Sequence, residues 1–473
     1  MSFETMVPWL VLSVYCIIIL RMTPKSVSPK QFFGGAAKDG GEPSLWLLVA
    51  SAAITWIFAK SIANAANLAG AFGIAGGIGY AFYYLSFLVA GGAIYLIRVK
   101  GGHTSLAGFL TSKYGATCAR LFLIAIAIRL FNEVWSNTKV ASLYFGAEGS
   151  TPYWTGVALV TAFTVYYSWR GGLRSSILTD GAQMILAAIL LVMILAVIWP
   201  ELGARGLPEM PVEAHLAGLT FCGLALVQVL SYPFHDPVLT DRGFITNPRT
   251  MLKGFVLAGL IAGGFILLFS TIGLYGRAMG LSGNMTVGVP ALFGLPVLLI
   301  FNAIMLTSAG STLDSTFAST AKLAGRDWRG SPEHPTKNDT KIGRKIMVGI
   351  AIVGNVPLLS IYFGDAVGPA IIAATTISGT MVMGLAPIFL LAFLPHAGRE
   401  SFHLAFWPGL VLGVLVTLEH ALRVEIFPAW IDIGHGKYAD DFGINLWGLA
   451  LCTFGYILGT VIARMRRPNA SLA

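Results

Sequence analysis

Long apolar stretches recur along almost the whole chain, and no other feature limits its possible folds so strongly. A helix needs about 20 mainly apolar residues to cross the hydrocarbon core of a bilayer. Thirteen stretches of the 473-residue sequence come close to this requirement. We predict spans at 5–21, 45–69, 72–98, 117–147, 152–169, 175–200, 214–234, 249–275, 288–324, 342–363, 367–395, 401–424 and 442–464. The sequence therefore predicts an all-α integral membrane protein with about 13 transmembrane helices.

The composition agrees with a membrane protein and excludes several other classes. Hydrophobic residues make up 56% of the chain and charged residues only 11%, whereas a soluble domain carries about 25% charged residues. This balance excludes a soluble globular protein, a disordered chain and a nucleic-acid-binding protein. The four cysteines are far apart within apolar stretches, which predicts packed core residues rather than metal ligands or disulfides.

Lysine and arginine residues indicate the orientation of the chain. With the N-terminus outside and the C-terminus in the cytoplasm, 24 of the 31 basic residues lie on inside loops and 4 on outside loops. The inside set includes Lys38, Arg174, Arg242 and Arg467. Because basic residues are enriched in cytoplasmic loops, this bias supports the orientation and an odd number of spans. We predict a multi-pass protein of the plasma (bacterial inner) membrane.

Two predicted spans contain interruptions. The second span includes the small and polar residues 59–67, and the seventh ends in the proline-containing segment 231–237. Such residues leave backbone groups that need a polar cavity or bound ions. Interrupted helices at matching positions of two halves indicate a transporter built from inverted repeats. A proline kink at Pro233, together with a loosely packed second helix, is the alternative.

Several charged residues lie inside predicted spans, where each is costly unless it is paired or solvated. They are Lys60, Arg129, Glu133, Lys139, Asp180 and Asp314, with Glu419 at the margin. Arg129 and Glu133 are four residues apart, so they can form an ion pair on one helix face. Lys60 either neutralises Glu133 from another helix or faces a central cavity and attracts an anionic group of a solute.

The ninth span carries five hydroxyl groups on one face. They belong to Ser308, Ser311, Thr312, Ser315 and Ser319. Their spacing places them on a single helical stripe, with Asp314 at its edge. Hydroxyl, carbonyl and carboxylate oxygens suit a hard cation such as sodium rather than a transition metal. Hydroxyls that bond only to their own helix backbone are the alternative.

Three short motifs stand out in the first half of the chain: the spacing of residues in the stretch 150–175, the Thr179-Asp180 pair, and a basic–aromatic–glycine element at 113–115. Together they resemble the motifs of the solute:sodium symporter family, which includes proline, sugar, iodide and sialic acid transporters. The stretch 150–175 fits the family signature in its spacing, and the Thr179-Asp180 pair is similar to the element that opens the next family helix. The resemblance is specific for the family and does not identify the solute.

The resemblance implies a fold and a first sodium site. It implies one membrane transporter domain over 1–473, with ten core helices in a five-plus-five inverted repeat. The implied repeats are 45–200 and 214–395, flanked by a peripheral helix at 5–21 and C-terminal helices at 401–464. Sodium would lie between the first and eighth core helices. The implied ligands are the backbone carbonyls of Ala53 and Trp56 and the hydroxyls of Ser308, Ser311 and Thr312.

Some family members bind a second sodium ion, which implies a second site in this chain. Its ligands would be Asp180, Ser311, Asp314 and Ser315. Asp314 stands where the family often has a hydroxyl, so two carboxylates would attract a cation strongly or keep one of them protonated. Pairing of Asp314 with a cytoplasmic basic residue such as Arg174 is the alternative.

The resemblance also implies a substrate site beside the helix interruptions. Tyr232 aligns with the aromatic residue that closes the cavity from inside in sugar-transporting members, and Lys60 and Gln228 fall at or near polar substrate-binding positions. Asn132 and Glu133 belong to a polar stretch that can line the same cavity. A lysine at position 60 departs from the sugar pattern and favours a carboxylate-bearing solute, unless it is only paired with Glu133.

The predicted function is sodium-coupled symport of a small organic solute, such as an amino or organic acid, by alternating access. A proton-coupled carrier, a channel and a membrane sensor on the same scaffold are the alternatives. No motif pairs a nucleophile with a base, so we do not expect an enzyme. The expected partners are the solute, sodium as coupling ion and the lipid bilayer, with no cofactor, nucleic acid or obligatory protein partner.

Overall fold

The computed structural model of the protein describes residues 3–37, 39–330 and 334–466. Every regular element in these ranges is a helix. The first nine are α1 (Phe3–Met22), α2 (Pro29–Gly34), α3 (Leu45–Trp56), α4 (Ala59–Phe82), α5 (Ser86–Val99), α6 (Leu106–Tyr114), α7 (Ala116–Ser142), α8 (Thr151–Arg205) and α9 (Val212–Gln228). The other nine are α10 (Pro237–Thr240), α11 (Pro248–Ala278), α12 (Met285–Phe293), α13 (Leu295–Gly325), α14 (Lys337–Val353), α15 (Gly364–Ala374), α16 (Leu385–Leu390), α17 (Arg399–Leu422) and α18 (Ala439–Arg466). Lys38 and Arg467, two of the basic residues predicted on inside loops, lie outside the described residues.

Seven helical segments in the described ranges are long and apolar enough to cross a membrane. They are Ala59–Val99, Thr151–Arg205, Pro248–Ala278, Leu295–Arg329, Lys337–Tyr362, Arg399–Leu422 and Gly436–Arg466. Three shorter apolar helices, in α1, α3 and α9, accompany them. All ten fall on predicted spans, so the prediction of an all-helical membrane protein is confirmed. The count of about 13 spans and the inverted repeat stay predictions.

Two of the long segments leave the helical conformation at a glycine. Gly73 in α4 has a φ of 66°, and Gly172 in α8 has a φ of 54°. Only glycine adopts this region readily, because it has no Cβ. At Gly172 a Cβ would also lie 2.4 Å from the carbonyl oxygen of Phe32. Both glycines lie within three residues of a predicted boundary between spans, so each marks the place where one predicted span ends and the next begins.

One of the two predicted interruptions is in a different place. Residues 59–67 are helical, and the break of the second span falls before them, at Ile57 and Phe58 between α3 and α4. The predicted position is wrong because this stretch is rich in alanine, which favours the helix despite its polar neighbours. The interruption of the seventh span is confirmed, since α9 ends at Gln228 and a 3₁₀ turn follows at Tyr232–His235.

The helix packing brings the two interruptions close to the hydroxyl-rich helix. α8 packs along α13, and both contact α3 just before its break. α7 contacts α4, α13 and the 3₁₀ turn at Tyr232–His235. The broken ends of α3 and α9 therefore lie around one region, with α7, α8 and α13 as its walls.

Close packing between α4 and α11 provides a stability test. A Cβ at Gly273 would lie 1.8 Å from the backbone oxygen of Ala66, whereas a Cβ at Gly264 on the same helix has no atom within 4 Å. We expect Gly273→Ala to lower the stability by about 1–3 kcal/mol, because backbone atoms must move apart. Gly264→Ala should be neutral or slightly stabilising, since alanine favours a helix. Melting temperatures in detergent check this, and equal values for the two variants would contradict it.

Candidate functional site

The end of α3 supplies backbone oxygens that can accept a further ligand at the first predicted sodium site. The helix ends at Trp56 because Ile57 leaves the helical conformation. The carbonyl of Ala53 accepts the backbone N–H of Ile57 at 3.0 Å, and the carbonyl of Trp56 accepts the hydroxyl of Tyr84 at 2.9 Å. Each oxygen keeps a second lone pair for another ligand. The carbonyl of Thr55, between them, accepts the hydroxyl of Thr312 at 3.3 Å.

The five hydroxyls of α13 are all buried and follow the predicted stripe. Thr312 lies beside the end of α3, since it donates to the carbonyl of Thr55 at 3.3 Å, and Ser308 precedes it by one turn. Ser311 donates to Oδ1 of Asp180 at 2.6 Å. The hydroxyl of Ser308 has no hydrogen-bond partner among the described residues. A buried polar group without a partner calls for an explanation, such as a bound ion or water. Ser308 therefore fits the predicted role of a cation ligand, whereas Ser311 is directed to the second predicted site.

The second predicted site contains a positively charged side chain of the protein itself. The guanidinium NH2 of Arg242 lies 2.8 Å from Oδ2 of Asp180 and 2.7 Å from the hydroxyl of Ser315. The same nitrogen donates to Ser176 at 3.2 Å, and Nε donates to Ser51 at 2.8 Å. All of these side chains are fully buried. The guanidinium thus contacts two of the four residues predicted to bind a second sodium ion, Asp180 and Ser315.

This arrangement corrects one sequence interpretation. Pairing of Asp314 with Arg174 is wrong, because Arg174 instead donates to the carbonyl of Gly35 at 3.4 Å. Arg242, one of the basic residues predicted on inside loops, lies between α10 and α11, outside the long apolar helices, but its side chain is completely buried. Counting basic residues between spans assigns such a residue to a loop and does not tell whether its side chain faces water.

Asp314 is surrounded by hydroxyl groups. Its Oδ2 lies 2.9 Å from the hydroxyl of Tyr167 and 3.0 Å from that of Thr179, and its Oδ1 accepts from Ser315 at 3.2 Å. No lysine or arginine of the described ranges forms a salt bridge with Asp314. The two carboxylates of the predicted second site therefore differ in their partners, since Asp180 has the guanidinium as well as hydroxyls and Asp314 has only hydroxyls.

A cavity of about 670 Å³ lies beside the helix breaks. Four of the five predicted substrate residues line it, namely Lys60, Asn132, Gln228 and Tyr232. The rest of the wall is mostly aromatic or amide-bearing and includes Trp56, Phe58, Asn64, Asn67, Tyr80, Tyr83, Tyr84, Phe221, Thr376 and Tyr438. The fifth predicted residue, Glu133, lies behind Lys60 and is fully buried. The structure thus brings the predicted substrate residues together around one space.

The floor of this cavity is a network of alternating charges. Nζ of Lys60 lies 2.5 Å from Oε1 of Glu133, and NH2 of Arg129 lies 2.6 Å from the same oxygen. Arg129 also contacts Asp236 at 2.9 Å, at the start of α10. Asn137 donates to Oε2 of Glu133 at 2.8 Å. Both open interpretations of Lys60 agree with these contacts, because Lys60 pairs with Glu133 and also keeps 18% of its side chain exposed in the cavity.

Aromatic rings and amides form the upper walls. The hydroxyl of Tyr83 donates to Oε1 of Gln228 at 2.5 Å, and the amide of Asn132 donates to Thr376 at 3.2 Å. The ring of Tyr232 packs on Tyr83 at 5.5 Å and on Trp56 at 6.1 Å between centroids. Such walls provide apolar surface with a few fixed polar groups, as small-molecule sites usually do.

A separate charged cluster lies at the other end of α13. Asp241, next to Arg242, contacts Lys322 at 2.5 Å and accepts the hydroxyl of Ser319 at 2.8 Å. Lys322 also lies 3.3 Å from Asp327, which follows the end of α13. The last hydroxyl of the stripe, that of Ser319, therefore belongs to this cluster and not to a predicted cation site.

Sequence reasoning does not identify Ser51, Thr55 and Ser176 as neighbours of Asp180. Ser51 and Ser176 lie 2.6 and 3.3 Å from its Oδ2, and Thr55 lies at 3.3 Å. Their spacing is a usable signal, because Ser51 and Thr55 are one turn apart on α3 and Ser176 precedes Asp180 by one turn on α8. No comparable signal exists for Arg242, which lies in a short 3₁₀ turn.

One distant relative of the sequence is a transport protein. No protein-family model matches it. The L-methionine/branched-chain amino acid exporter YjeH of Escherichia coli (strain K12) is 24% identical over 258 residues, which is 50% of this chain. The match covers 59% of the exporter, so the chain is aligned with little more than half of that relative.

The fold is similar to that of a solved transporter over nearly its whole length. A Na+-coupled sialic acid symporter, in a substrate-bound, outward-open state, matches with a TM-score of 0.64 at 15% sequence identity. The match covers 98% of both chains. This likeness shows that the chain has the fold of that symporter, and the seven long apolar helices support an integral membrane protein.

Proposed function

We propose that the protein is a secondary active transporter that carries a small, carboxylate-bearing organic solute together with sodium. The observation that supports this most directly is the cavity at the helix breaks, with a lysine ammonium on its floor. On the adjacent helix, the hydroxyl of Ser308 has no hydrogen-bond partner in the part of the chain that the structure describes. A solute site and a cation site that share broken helices are the basis of coupled transport, since each ligand then favours the conformation that binds the other.

The wall chemistry supports an amino acid or a similar acid as solute. Lys60 has three N–H donors, and Glu133 and Ser136 take two of them. A solute carboxylate can accept the third, while the aromatic wall covers its apolar part. The solutes named for the two similar proteins, methionine, branched-chain amino acids and sialic acid, all carry a carboxylate. An uncharged sugar could accept from this donor only through a neutral hydroxyl, which forms a weaker hydrogen bond than a carboxylate does.

Sodium would bind at the first predicted site. Its ligands are the carbonyls of Ala53 and Trp56 at the end of α3 and the hydroxyls of Ser308 and Thr312 on α13, with Ser311 within reach after a rotamer change. An ion there ties α3 to α13 and so favours one of the two alternating conformations. A membrane potential adds about 2.3 kcal/mol per charge for each 100 mV, which can drive solute accumulation. We also propose the orientation inferred from the loop charges, with the N-terminus outside and the C-terminus in the cytoplasm.

A proton-coupled carrier is the second candidate, and Asp314 favours it. This buried carboxylate has three hydroxyl neighbours and no basic partner in the described ranges. Such a group can bind and release a proton at low electrostatic cost when Asp180 keeps its guanidinium. Uptake into proteoliposomes at fixed pH, with choline replacing sodium, separates the candidates. A carrier coupled only to protons would keep its full rate in choline and respond to a pH gradient.

The solute class can be tested by a thermal-shift screen of the purified protein. The probes are L-methionine, L-leucine, sialic acid, lactate and glucose, each with sodium chloride and with choline chloride at equal ionic strength. A ligand that binds the folded state raises the melting temperature, and coupling makes the rise larger in sodium. We expect shifts with one of the carboxylate-bearing probes and none with glucose. A shift with glucose alone would contradict the proposed solute class.

Replacing Thr312 by Ala should weaken sodium coupling. Thr312 bridges α13 to the carbonyl of Thr55, so its loss removes one ligand and one contact between the two helices. We expect the sodium concentration for half-maximal uptake to rise by about ten-fold, equivalent to about 1.4 kcal/mol. Thr316→Ala is the matched control, because Thr316 donates to the carbonyl of Thr312 on its own helix. An equal sodium requirement in wild type and Thr312→Ala would remove this residue from the site.

A further inference from the structure

We propose that Arg242 is a built-in cation that occupies the second cation site permanently, in place of a second sodium ion. As the structure forms it, the site is the set of buried oxygens of Ser51, Ser176, Asp180 and Ser315, and it shares Asp180 and Ser315 with the second sodium site that the sequence implies. The occupancy of this site does not depend on the solute; only its consequence, that transport needs fewer sodium ions, rests on the proposed function.

The guanidinium satisfies the site as fully as an ion would. Its NH2 reaches Asp180 at 2.8 Å, Ser315 at 2.7 Å and Ser176 at 3.2 Å, and its Nε reaches Ser51 at 2.8 Å. These groups come from three helices, α3, α8 and α13, which are the helices that a bound cation would have to join. The remaining nitrogen, NH1, donates to the carbonyl of Val238 at 2.6 Å, within its own segment.

The charges support this assignment. Arginine stays protonated in proteins, so Arg242 brings a full positive charge to the buried carboxylate of Asp180. Both oxygens of the Asp180 carboxylate have a donor, since Arg242 donates to Oδ2 and Ser311 donates to Oδ1. A sodium ion could enter only if the arginine withdrew.

The position of Arg242 in the chain links this site to the far end of the transporter. Arg242 lies in the 3₁₀ turn Asp241–Phe244, directly after the four-residue helix α10. Its neighbour Asp241 holds Lys322 at the end of α13. Withdrawal of the guanidinium therefore requires movement of this turn, so the tethered cation also closes the bundle at the predicted cytoplasmic end.

The experiment asks whether a free cation can replace the tethered one. All variants carry Thr312→Ala, so that sodium binding at the first site is weakened equally. The melting temperature of the purified full-length protein is measured in choline chloride, in sodium chloride and in choline chloride with millimolar guanidinium chloride. The variants are Arg242→Gln, Arg242→Gln with Asp180→Asn, and Arg98→Gln. Arg98 is the matched control, because it donates to Gly243 in the same turn at 2.8 Å and forms no salt bridge with a carboxylate of the site.

We expect Arg242→Gln to melt lower in choline and to recover by about 2 °C or more in sodium or guanidinium, since a cation can then enter beside Asp180. Arg98→Gln should show no new cation response, and the double variant should lose the response with the carboxylate. An Arg242→Gln protein that folds only when Asp180→Asn is added also supports the proposal. In that case the unpaired charge of Asp180 prevents folding, and its removal restores the fold.

Two results would overturn the proposal. One is an Arg242→Gln protein that melts as the Arg242 parent does in choline, without any cation response. The other is a double variant that is as unfolded as the single one, because the arginine would then act through its hydrogen bonds and not its charge. Failure of the proposed function would give a different result: uptake and melting of the wild type would not respond to sodium. The comparison of Arg242→Gln with Arg98→Gln would still test the role of Arg242.

Discussion

Replacing Glu133 by Gln is expected to abolish solute uptake and to lower the stability by about 3–5 kcal/mol, the usual cost of removing one partner of a buried ion pair. Glu133 is fully buried and faces two cations at once, Lys60 at 2.5 Å and Arg129 at 2.6 Å. Without its charge, two positive groups remain under the cavity with only Asp236 to compensate them. Melting temperature and uptake in proteoliposomes measure the two effects.

The matched control for this variant is Glu148→Gln. Glu148 also pairs with a lysine, Lys139, at 2.7 Å, but both side chains are about one-third exposed. Exposed ion pairs contribute about 0–1 kcal/mol, so this variant should melt and transport almost as the wild type does. Equal effects of the two substitutions would show that the charge network under the cavity has no special role in the fold or in transport.

Most of the charge network is predictable from the sequence because of where its members lie. A charged side chain inside an apolar span must find a partner or water, and this requirement alone singles out Lys60, Arg129 and Glu133. The i, i+4 spacing of Arg129 and Glu133 indicates one of the pairs, which the structure contains. Asp236 joins the network from outside a span, where the same energetic argument gives no signal.

The second cation site is not fully predictable from the sequence, because one of its residues also lies outside every predicted span. Asp180 and the α13 hydroxyls lie inside spans and are therefore conspicuous, but the residue between them, Arg242, comes from a segment that hydropathy assigns to a loop. Its burial depends on a turn that folds back into the bundle, and nothing local to Asp241–Phe244 encodes that path. Tertiary packing, not periodicity, decides which basic residues face water.

The first break can be located only approximately from the sequence. Polarity at 59–67 indicates an interruption, yet α4 is helical there and the break lies at Ile57 and Phe58, two apolar residues. The polar residues are instead a sign of the cavity that they line, since Asn64 and Asn67 face it. Polarity inside a span thus predicts proximity to the site better than it predicts the broken residue itself.

Replacing Lys60 by Gln should weaken binding of a carboxylate-bearing solute by about 10- to 100-fold. A hydrogen bond to a charged group contributes about 1.5–3 kcal/mol, and the Lys60 ammonium is one of the charged groups that line the cavity. The fold should persist, because Glu133 keeps Arg129 at 2.6 Å and Asn137 at 2.8 Å. Affinity is measured by titration of the solute found in the thermal-shift screen, with its methyl ester as the uncharged analogue.

The ester decides between the two interpretations of Lys60. If the ammonium binds the solute carboxylate, Lys60→Gln weakens binding of the acid and leaves that of the ester almost unchanged, because the ester cannot form the charged contact. If Lys60 serves only to neutralise Glu133, acid and ester lose affinity alike, along with stability. Lys437→Gln is the matched control, since Lys437 also lines the cavity but packs against the ring of Tyr438 at 5.5 Å. It should change both affinities by less than about three-fold, within the range of a screened surface charge.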